Sequence, residues 1–241
     1  MSASRLGYLA AAALLVAIFL SLSAWQYGRG EQKQQWIDAW QAALAAPPVE
    51  MAAALRGSTP RTIADTFVPD EGAGWILLDN QRRGAEVGVK AYRILRSAEG
   101  VRVLADFGWV PWPSRDQLPS LDPPPASVPV LGLWVDWPGQ GIALGPNPLD
   151  PARRREPVLL TYLDRGELAS WAGLSLAAGV LRVGPESPYG FVRELAPLPN
   201  TLPPDQHYGY ALQWFGFAVA LVVIVVVLSW KHRAGSTTPN E

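Results

Sequence analysis

The chain contains no cysteine and only two histidines, His207 and His232, among its 241 residues. The lack of cysteine excludes disulfide bonds, thiolate catalysis, thiolate metal sites and covalent haem attachment through a Cys-x-x-Cys-His motif. A Ser–His–Asp site would have to use His207, because His232 is predicted to lie on the opposite side of the membrane from the central domain. No nucleophile-elbow motif accompanies His207. Neither a Gly-x-Gly-x-x-Gly motif nor a P-loop is present. We therefore predict that the protein is not an enzyme.

Charge is also scarce, since charged residues make up 17% of the chain and the formal net charge is −1. The charges of both signs are scattered along the sequence. A nucleic-acid-binding face needs a basic patch or stripe. This pattern argues against DNA or RNA as a partner.

Two long runs, residues 6–24 and 210–230, contain no charge at all. A helix of about 20 residues rises about 30 Å, which is the thickness of the hydrocarbon core of a bilayer. A cleaved signal peptide is the alternative for the first run, because Ser21-Leu22-Ser23 is a small-x-small triplet. The first run is longer than the apolar region of such a peptide, about 7–15 residues. We expect an uncleaved anchor near each end.

The orientation of these spans depends on the positive residues beside them. Lys231 and Arg233 directly follow the second run, which places the C-terminus in the cytoplasm. Arg5 precedes the first run while Arg29 and Lys33 follow it, so that end is indecisive. Two spans put both termini on one side of the membrane. The predicted parts are an N-terminal transmembrane helix with its flank (1–27), an extracytoplasmic β-rich domain (28–206), a C-terminal transmembrane helix (207–233) and a cytoplasmic tail (234–241).

Helical periodicity continues beyond the first span until a proline pair at residues 47 and 48. The apolar positions of this stretch are Trp36, Ile37, Trp40 and Leu44. The spacing predicts that the span extends into an amphipathic helix leading the extracytoplasmic domain.

Strand patterns dominate the segment between the spans. The predicted strands are 75–79, 89–96, 101–107, 128–136, 158–163 and 180–183, with a hairpin turn at 97–100. Asp164 and Gly173 have the positions of the first and last caps of a short helix. We expect an α+β membrane protein whose two transmembrane helices flank a mostly antiparallel β domain, either a small sheet or a partly open barrel.

Polar and aromatic side chains recur at helical spacing where each span meets the outer membrane boundary. On the second helix they are His207, Tyr210 and Trp214. On the first helix they are Trp25, Gln26, Arg29 and Lys33. Two complementary faces are thus expected at the same depth.

A simpler interpretation of these residues needs no ligand. Trp25 and Trp214 would be interfacial anchors, as tryptophan often is at a membrane boundary. Arg29 and Lys33 would extend toward lipid phosphates. His207 would be an ordinary polar residue at the boundary.

Three segments of the chain carry motifs in a fixed order. The first span is followed by WQYGRGEQK, which has the form Trp-Gln-x-x-Arg-x-x-x-Lys. A central block, LLDNQRRGAEVGVKAYRILRSAEGVRVLADFGWVP, ends in Gly-Trp-Val-Pro at residues 108–111. The second span begins with HYGYALQWFGFA. Together these segments resemble the surfeit locus protein 1 family of cytochrome c oxidase assembly factors, in its bacterial form.

The sequence departs from that family at two places. Members usually have Arg directly before Gly-Trp-Val-Pro, where Phe107 stands here after Asp106. A Pro often ends the preceding strand, where this chain has Ile94-Leu95. We expect residues 108–111 to form a strand end and turn packed on Trp109.

The resemblance implies a non-enzymatic assembly factor of the bacterial inner membrane, with its central domain in the periplasm. It further implies that the protein binds haem a transiently and assists its insertion into the catalytic subunit of the oxidase. His207 would be the iron ligand, and Arg29 and Lys33 would face the propionates. The site would be completed by Trp25, Gln26, Tyr210 and Trp214. The implied partners are the catalytic subunit, the haem a synthase and the lipid bilayer.

An alternative within the same resemblance is a membrane scaffold that never holds haem. Such a scaffold would bind oxidase subunits or the haem a synthase. The sequence does not discriminate between the two.

Overall fold

The computed structural model describes residues 3–139, 145–197 and 201–234. The predicted cytoplasmic tail beyond residue 234 lies outside the described residues. Contacts divide the chain into two compact units, one formed by Met1–Asp38 with Pro197–Glu241 and the other by Ala39–Ala196. The elements in chain order are α1 (Ala3–Ala45), α2 (Met51–Ala54), β1 (Arg61–Pro69), β2 (Ile76–Arg83), β3 (Glu86–Arg96), β4 (Arg102–Pro111), β5 (Val128–Asp136), a 3-10 helix (Pro151–Arg153), β6 (Val158–Leu160), α3 (Arg165–Ala172), β7 (Gly179–Val183) and α4 (Pro204–Ala234).

Helices α1 and α4 are each long and apolar enough to cross a membrane, with mean hydropathies of 2.2 and 2.6 in their most apolar stretches. Many of their apolar side chains point away from protein: Leu14 is 63% exposed and Val226 is 58% exposed. Such exposure is expected of helix faces that lipid rather than protein covers. The prediction of two helices with membrane-spanning length is confirmed.

The continuation of the first span is also confirmed, since α1 runs as one helix to its end beside the proline pair. Its expected apolar stripe is only partly correct. Trp40 is 1% exposed, its indole Nε1 donates to the Leu195 carbonyl at 2.9 Å, and the Arg182 guanidinium lies 5.0 Å from its ring centre. Trp36 and Leu44 are 38% and 44% exposed. The buried face of this segment is therefore narrower than the periodicity predicted, since Trp40 is buried while Trp36 and Leu44 are exposed.

Five strands of the second unit close a barrel, with β1 paired to β5, β5 to β7, β7 to β4, β4 to β3 and β3 back to β1. The closing contact is short, with Val68 opposite Arg96 and Pro69 opposite Leu95. β2 and β6 extend the sheet from β3. The pairs β4–β7 and β2–β6 are parallel and the others are antiparallel. The mostly antiparallel α+β prediction is confirmed, and the barrel is closed rather than partly open.

Strands β3 and β4 have buried apolar residues on both faces. One face, including Val89, Ala91 and Phe107, belongs to the core inside the barrel. The opposite face, including Ile94 and Leu104, packs in a second cluster with side chains of α3. Strands covered on two sides lose the strict polar–apolar alternation of a half-exposed strand.

Several strand predictions need correction. β2 and β4 each continue four residues beyond their predicted ends at 79 and 107. β1 was not predicted, because its sequence RTIADTFVP places polar residues on both faces and gives no clean alternation. β6 ends at Leu160 rather than at residue 163. The Asn147 side chain explains this early end, since its Oδ1 accepts the backbone N–H of Thr161 at 3.1 Å in place of a ladder bond.

The predicted turn and caps are confirmed. The hairpin turn closes with a bond from the Ser97 N–H to the Val101 carbonyl at 2.9 Å, and Gly100 has a φ of +83°. The Asp164 carboxylate accepts the Glu167 N–H at 2.8 Å at the start of α3. Gly173 ends the helix in the left-handed conformation, which glycine adopts at little cost.

The Gly-Trp-Val-Pro segment ends β4, as expected. Trp109 is 7% exposed and its Nε1 donates to the Gln81 carbonyl at 2.8 Å. Phe107 is fully buried in the barrel core, where its ring meets those of Trp75 and Tyr189 edge to face. A charged side chain at position 107 would therefore point into the core.

Candidate functional site

Helices α1 and α4 approach each other closely at the level of Gly30. The Tyr208 ring lies against this glycine, and a Cβ atom at Gly30 would be only 2.5 Å from Tyr208 Cε1. The Tyr208 hydroxyl donates to Glu31 Oε1 at 2.7 Å, and the Ser23 hydroxyl donates to the Ala211 carbonyl at 2.8 Å. These contacts fix the two helices in register next to His207.

His207 is 8% exposed and is held by one polar partner. Its Nδ1 lies 2.8 Å from Gln26 Oε1. An amide oxygen can only accept a hydrogen bond, so Nδ1 carries a proton, and in the neutral ring Nε2 then carries the lone pair. Within the described part of the chain, Nε2 is buried and has no hydrogen-bond partner. A neutral imidazole with an unused nitrogen is the form of histidine that binds metals.

The two predicted cations have neutral partners. The Arg29 guanidinium donates from Nη1 to Gln32 Oε1 at 3.1 Å, and the Lys33 ammonium donates to the Leu202 carbonyl. Among the residues that the structure describes, neither forms an ion pair with a carboxylate. Both bonds are at the surface. Their positive charges therefore remain available to an anionic group.

The predicted aromatic residues do not form one site. Trp214 stacks on Phe19 with ring centres 5.7 Å apart and meets Phe217 edge to face. Trp25 is 57% exposed and Tyr210 is 44% exposed. The structure thus brings His207 and Gln26 into contact and leaves Trp25 and Tyr210 on outward faces, where they suit a membrane boundary.

Sequence reasoning missed the Tyr208–Gly30 contact and its hydrogen bond to Glu31. One sequence feature could have indicated it. A glycine inside a helical pattern often marks a close approach of another element, and Gly30 lies inside the motif that follows the first span. The Tyr208 ring occupies that place.

A metal ion bound by side chains alone is not supported in the described ranges, which contain no group of three or more His, Asp or Glu residues suited to a metal. A haem imposes a weaker requirement, because the porphyrin supplies most of the iron ligands and the protein adds an axial one. His207 with its unused Nε2 meets that requirement. The residues present therefore fit a haem better than a bare ion.

The fold and the helix pair define a class: a closed β-barrel protein with two helices capable of spanning a membrane and a buried histidine, His207, at the contact between those helices. The chain matches the sequence model of the SURF1 family over residues 13–219, and it belongs to that family. The family is known for the assembly of cytochrome oxidase. The resemblance to the surfeit locus protein 1 family is thereby confirmed. A search of curated proteins finds no match.

Proposed function

We propose that this protein binds haem a transiently through His207 and assists its insertion into the catalytic subunit of cytochrome c oxidase. One observation carries the proposal: the buried Nε2 of His207, which has no hydrogen-bond partner among the described residues. A buried polar atom without a partner is costly and often indicates a ligand. Imidazole nitrogen is a common axial ligand of haem iron.

Gln26 positions this ligand. By accepting the Nδ1 proton at 2.8 Å it fixes the tautomer that leaves Nε2 free, and it sets the orientation of the ring. Nε2 is covered by protein. Iron binding therefore requires the covering side chains to move aside. When bound, the haem supplies an iron centre that accepts the imidazole, two anionic propionates and an apolar tail.

Arg29 and Lys33 are suited to hold the propionates. Each donates to one neutral acceptor, an amide oxygen for Arg29 and a backbone carbonyl for Lys33. A carboxylate is a stronger acceptor than either, because charge-assisted hydrogen bonds are roughly twice as strong as neutral ones. Propionates can therefore replace these partners.

Both termini would lie in the cytoplasm and the barrel in the periplasm, with Trp25 and Tyr210 anchoring the boundary.

A haem-free scaffold is the second candidate, and the burial of His207 favours it. An 8% exposed ring bonded to Gln26 also serves to hold two helices together. In this case the protein would bind oxidase subunits or the haem a synthase through other surfaces.

Visible spectroscopy of the full chain distinguishes the candidates. The protein is purified in mild detergent from cells that make haem a, together with His207→Ala and the matched control Gln206→Ala, whose side chain is exposed on the neighbouring position. We expect a Soret band in wild type and in Gln206→Ala, and its loss in His207→Ala at equal protein level. A wild type without haem would leave the scaffold as the function. A His207→Ala variant with an unchanged spectrum would show that His207 is not the iron ligand.

A further inference from the structure

A second group of cations without a carboxylate partner lies in the described part of the barrel unit. We name it the Arg93 cluster: Arg93, Trp75, Phe107, Tyr189, Phe191 and Arg193. The rings of Trp75, Phe107, Tyr189 and Phe191 contact one another, with centres 5.5 to 6.4 Å apart. The Arg93 guanidinium lies 5.7 Å from the centre of the Trp75 ring.

Arg93 points toward the barrel interior, which is unusual for a charged residue. It is opposite Ala105 in the β3–β4 ladder, and directly opposed residues share one face of a sheet. Ala105 belongs to the inner core. Ala91 and Leu95, two positions before and after Arg93, belong to the same core. The strand register therefore places this cation on an otherwise apolar face.

No carboxylate neutralises this cation in the described part of the chain. Arg93 forms no hydrogen bond or ion pair there, and its Nε is buried without a partner. Asp70 attracts it at longer range, but that carboxylate is already bonded to Arg102 Nε at 2.9 Å. The Trp75 indole Nε1 is likewise buried and unpartnered. Two adjacent donors thus have no acceptor.

Arg193 is a second cation that has carbonyl partners but no carboxylate partner among the described residues. Its guanidinium donates to the carbonyls of Tyr189 at 2.7 Å and Ser187 at 3.0 Å, and within the described ranges it meets no carboxylate. Burial lowers the pKa of both Arg93 and Arg193, as expected where water is removed, and at Arg93 the attraction of Tyr189 and Asp70 offsets only part of this effect. The electrostatic environment of the cluster favours an anion.

We propose that the Arg93 cluster binds the carboxylate of a small organic acid, with the carboxylate on the Arg93 guanidinium and the carbon body against the aromatic rings. Guanidinium and carboxylate match as planar, bidentate partners. Arg93, Tyr189 and Phe191 are partly exposed while Trp75 and Phe107 are buried, so the cluster extends from the core to the surface. The indole N–H of Trp75 supplies a further donor.

Benzoate is the probe and neutral benzamide is its control of equal shape. Calorimetric titration of the full, haem-free chain in detergent is expected to show saturable benzoate binding and at least tenfold weaker benzamide binding. Arg93→Gln is expected to weaken benzoate at least tenfold, and Arg93→Lys less. The matched control Arg96→Gln, on an exposed position of the same strand, leaves benzoate binding unchanged.

A readout on the wild-type protein keeps the test independent of variant folding. The indole N–H resonances of the ¹⁵N-labelled chain are recorded during the titration, and the Trp75 resonance is assigned by its loss in Trp75→Phe. We expect benzoate to shift the Trp75 resonance and benzamide to leave it in place. Equal effects of the two probes, no saturable benzoate binding, or an unmoved Trp75 resonance would overturn the proposal. None of these readouts involves haem.

Discussion

Replacing Gly108 by alanine tests why the Gly-Trp-Val-Pro segment begins with glycine. Gly108 has a φ of +109°. A Cβ atom there would lie 2.6 Å from the Val192 carbonyl oxygen and 2.6 Å from Arg193 Cγ. The Val192 carbonyl cannot retreat easily, because it accepts the Trp109 N–H at 2.7 Å. Alanine at this position therefore meets backbone strain and a steric clash together.

The magnitude follows from these two costs. Holding a non-glycine residue at positive φ costs about 1–2 kcal/mol, and overpacking a rigid site adds about 1–3 kcal/mol. We expect Gly108→Ala to lower the free energy of unfolding of the barrel by about 2–5 kcal/mol. Urea unfolding in detergent, followed by near-ultraviolet circular dichroism, measures the change.

Gly100→Ala is the matched control for this experiment. Gly100 also has positive φ, +83°, but a Cβ atom there would meet nothing within 4 Å. We expect a loss of about 1–2 kcal/mol, the strain alone. Equal losses in the two variants would show that the contact with Val192 is unimportant. A Gly108→Ala variant as stable as wild type would refute the whole argument.

Three further predictions concern single hydrogen bonds. Gln26→Leu should weaken haem retention by His207 about 10–100-fold, as loss of a partner that orients a metal ligand typically does, measured by haem loss to a competing apoprotein; unchanged retention would contradict the positioning role. Tyr208→Phe removes the bond to Glu31 and should reduce the thermal stability of the helix pair by about 1–2 kcal/mol, whereas no change in melting would show that ring packing alone suffices. Lys90 Nζ lies 2.7 Å from Asp106 Oδ2, so Asp106→Asn leaves the partly buried Lys90 ammonium without its anion and should destabilise the barrel by about 2–4 kcal/mol in urea unfolding; a loss below about 1 kcal/mol would contradict this estimate.

The elements that could be predicted from sequence are those specified locally. The apolar runs, the turn at Gly100 and the caps of α3 each depend on residues within a few positions of one another. β1 and barrel closure depend instead on pairing between distant strands. No local pattern in RTIADTFVP indicates which strands it will join. Sequence periodicity therefore predicted a β domain but left open whether its sheet closes.

The site was predictable to a similar extent. Helical spacing and a shared depth brought Gln26 and His207 together as candidates, and the structure places them 2.8 Å apart. Spacing does not specify how a helix is rotated, so Trp25 and Tyr210 were grouped with them although both face outward. The contact of Tyr208 with Gly30 depends on interhelical distance, which one-dimensional patterns do not contain.

The proposed role in haem transfer requires release as well as binding, and the contacts of His207 provide for both. Without haem, Nε2 is covered by protein and Nδ1 is bonded to Gln26. Binding must uncover Nε2, so part of the iron–imidazole free energy is offset by the lost packing. Arg29 and Lys33 must likewise give up their neutral partners. Release restores all of these contacts, and because affinity is the difference between the two states, a covered histidine suits a carrier better than an open one.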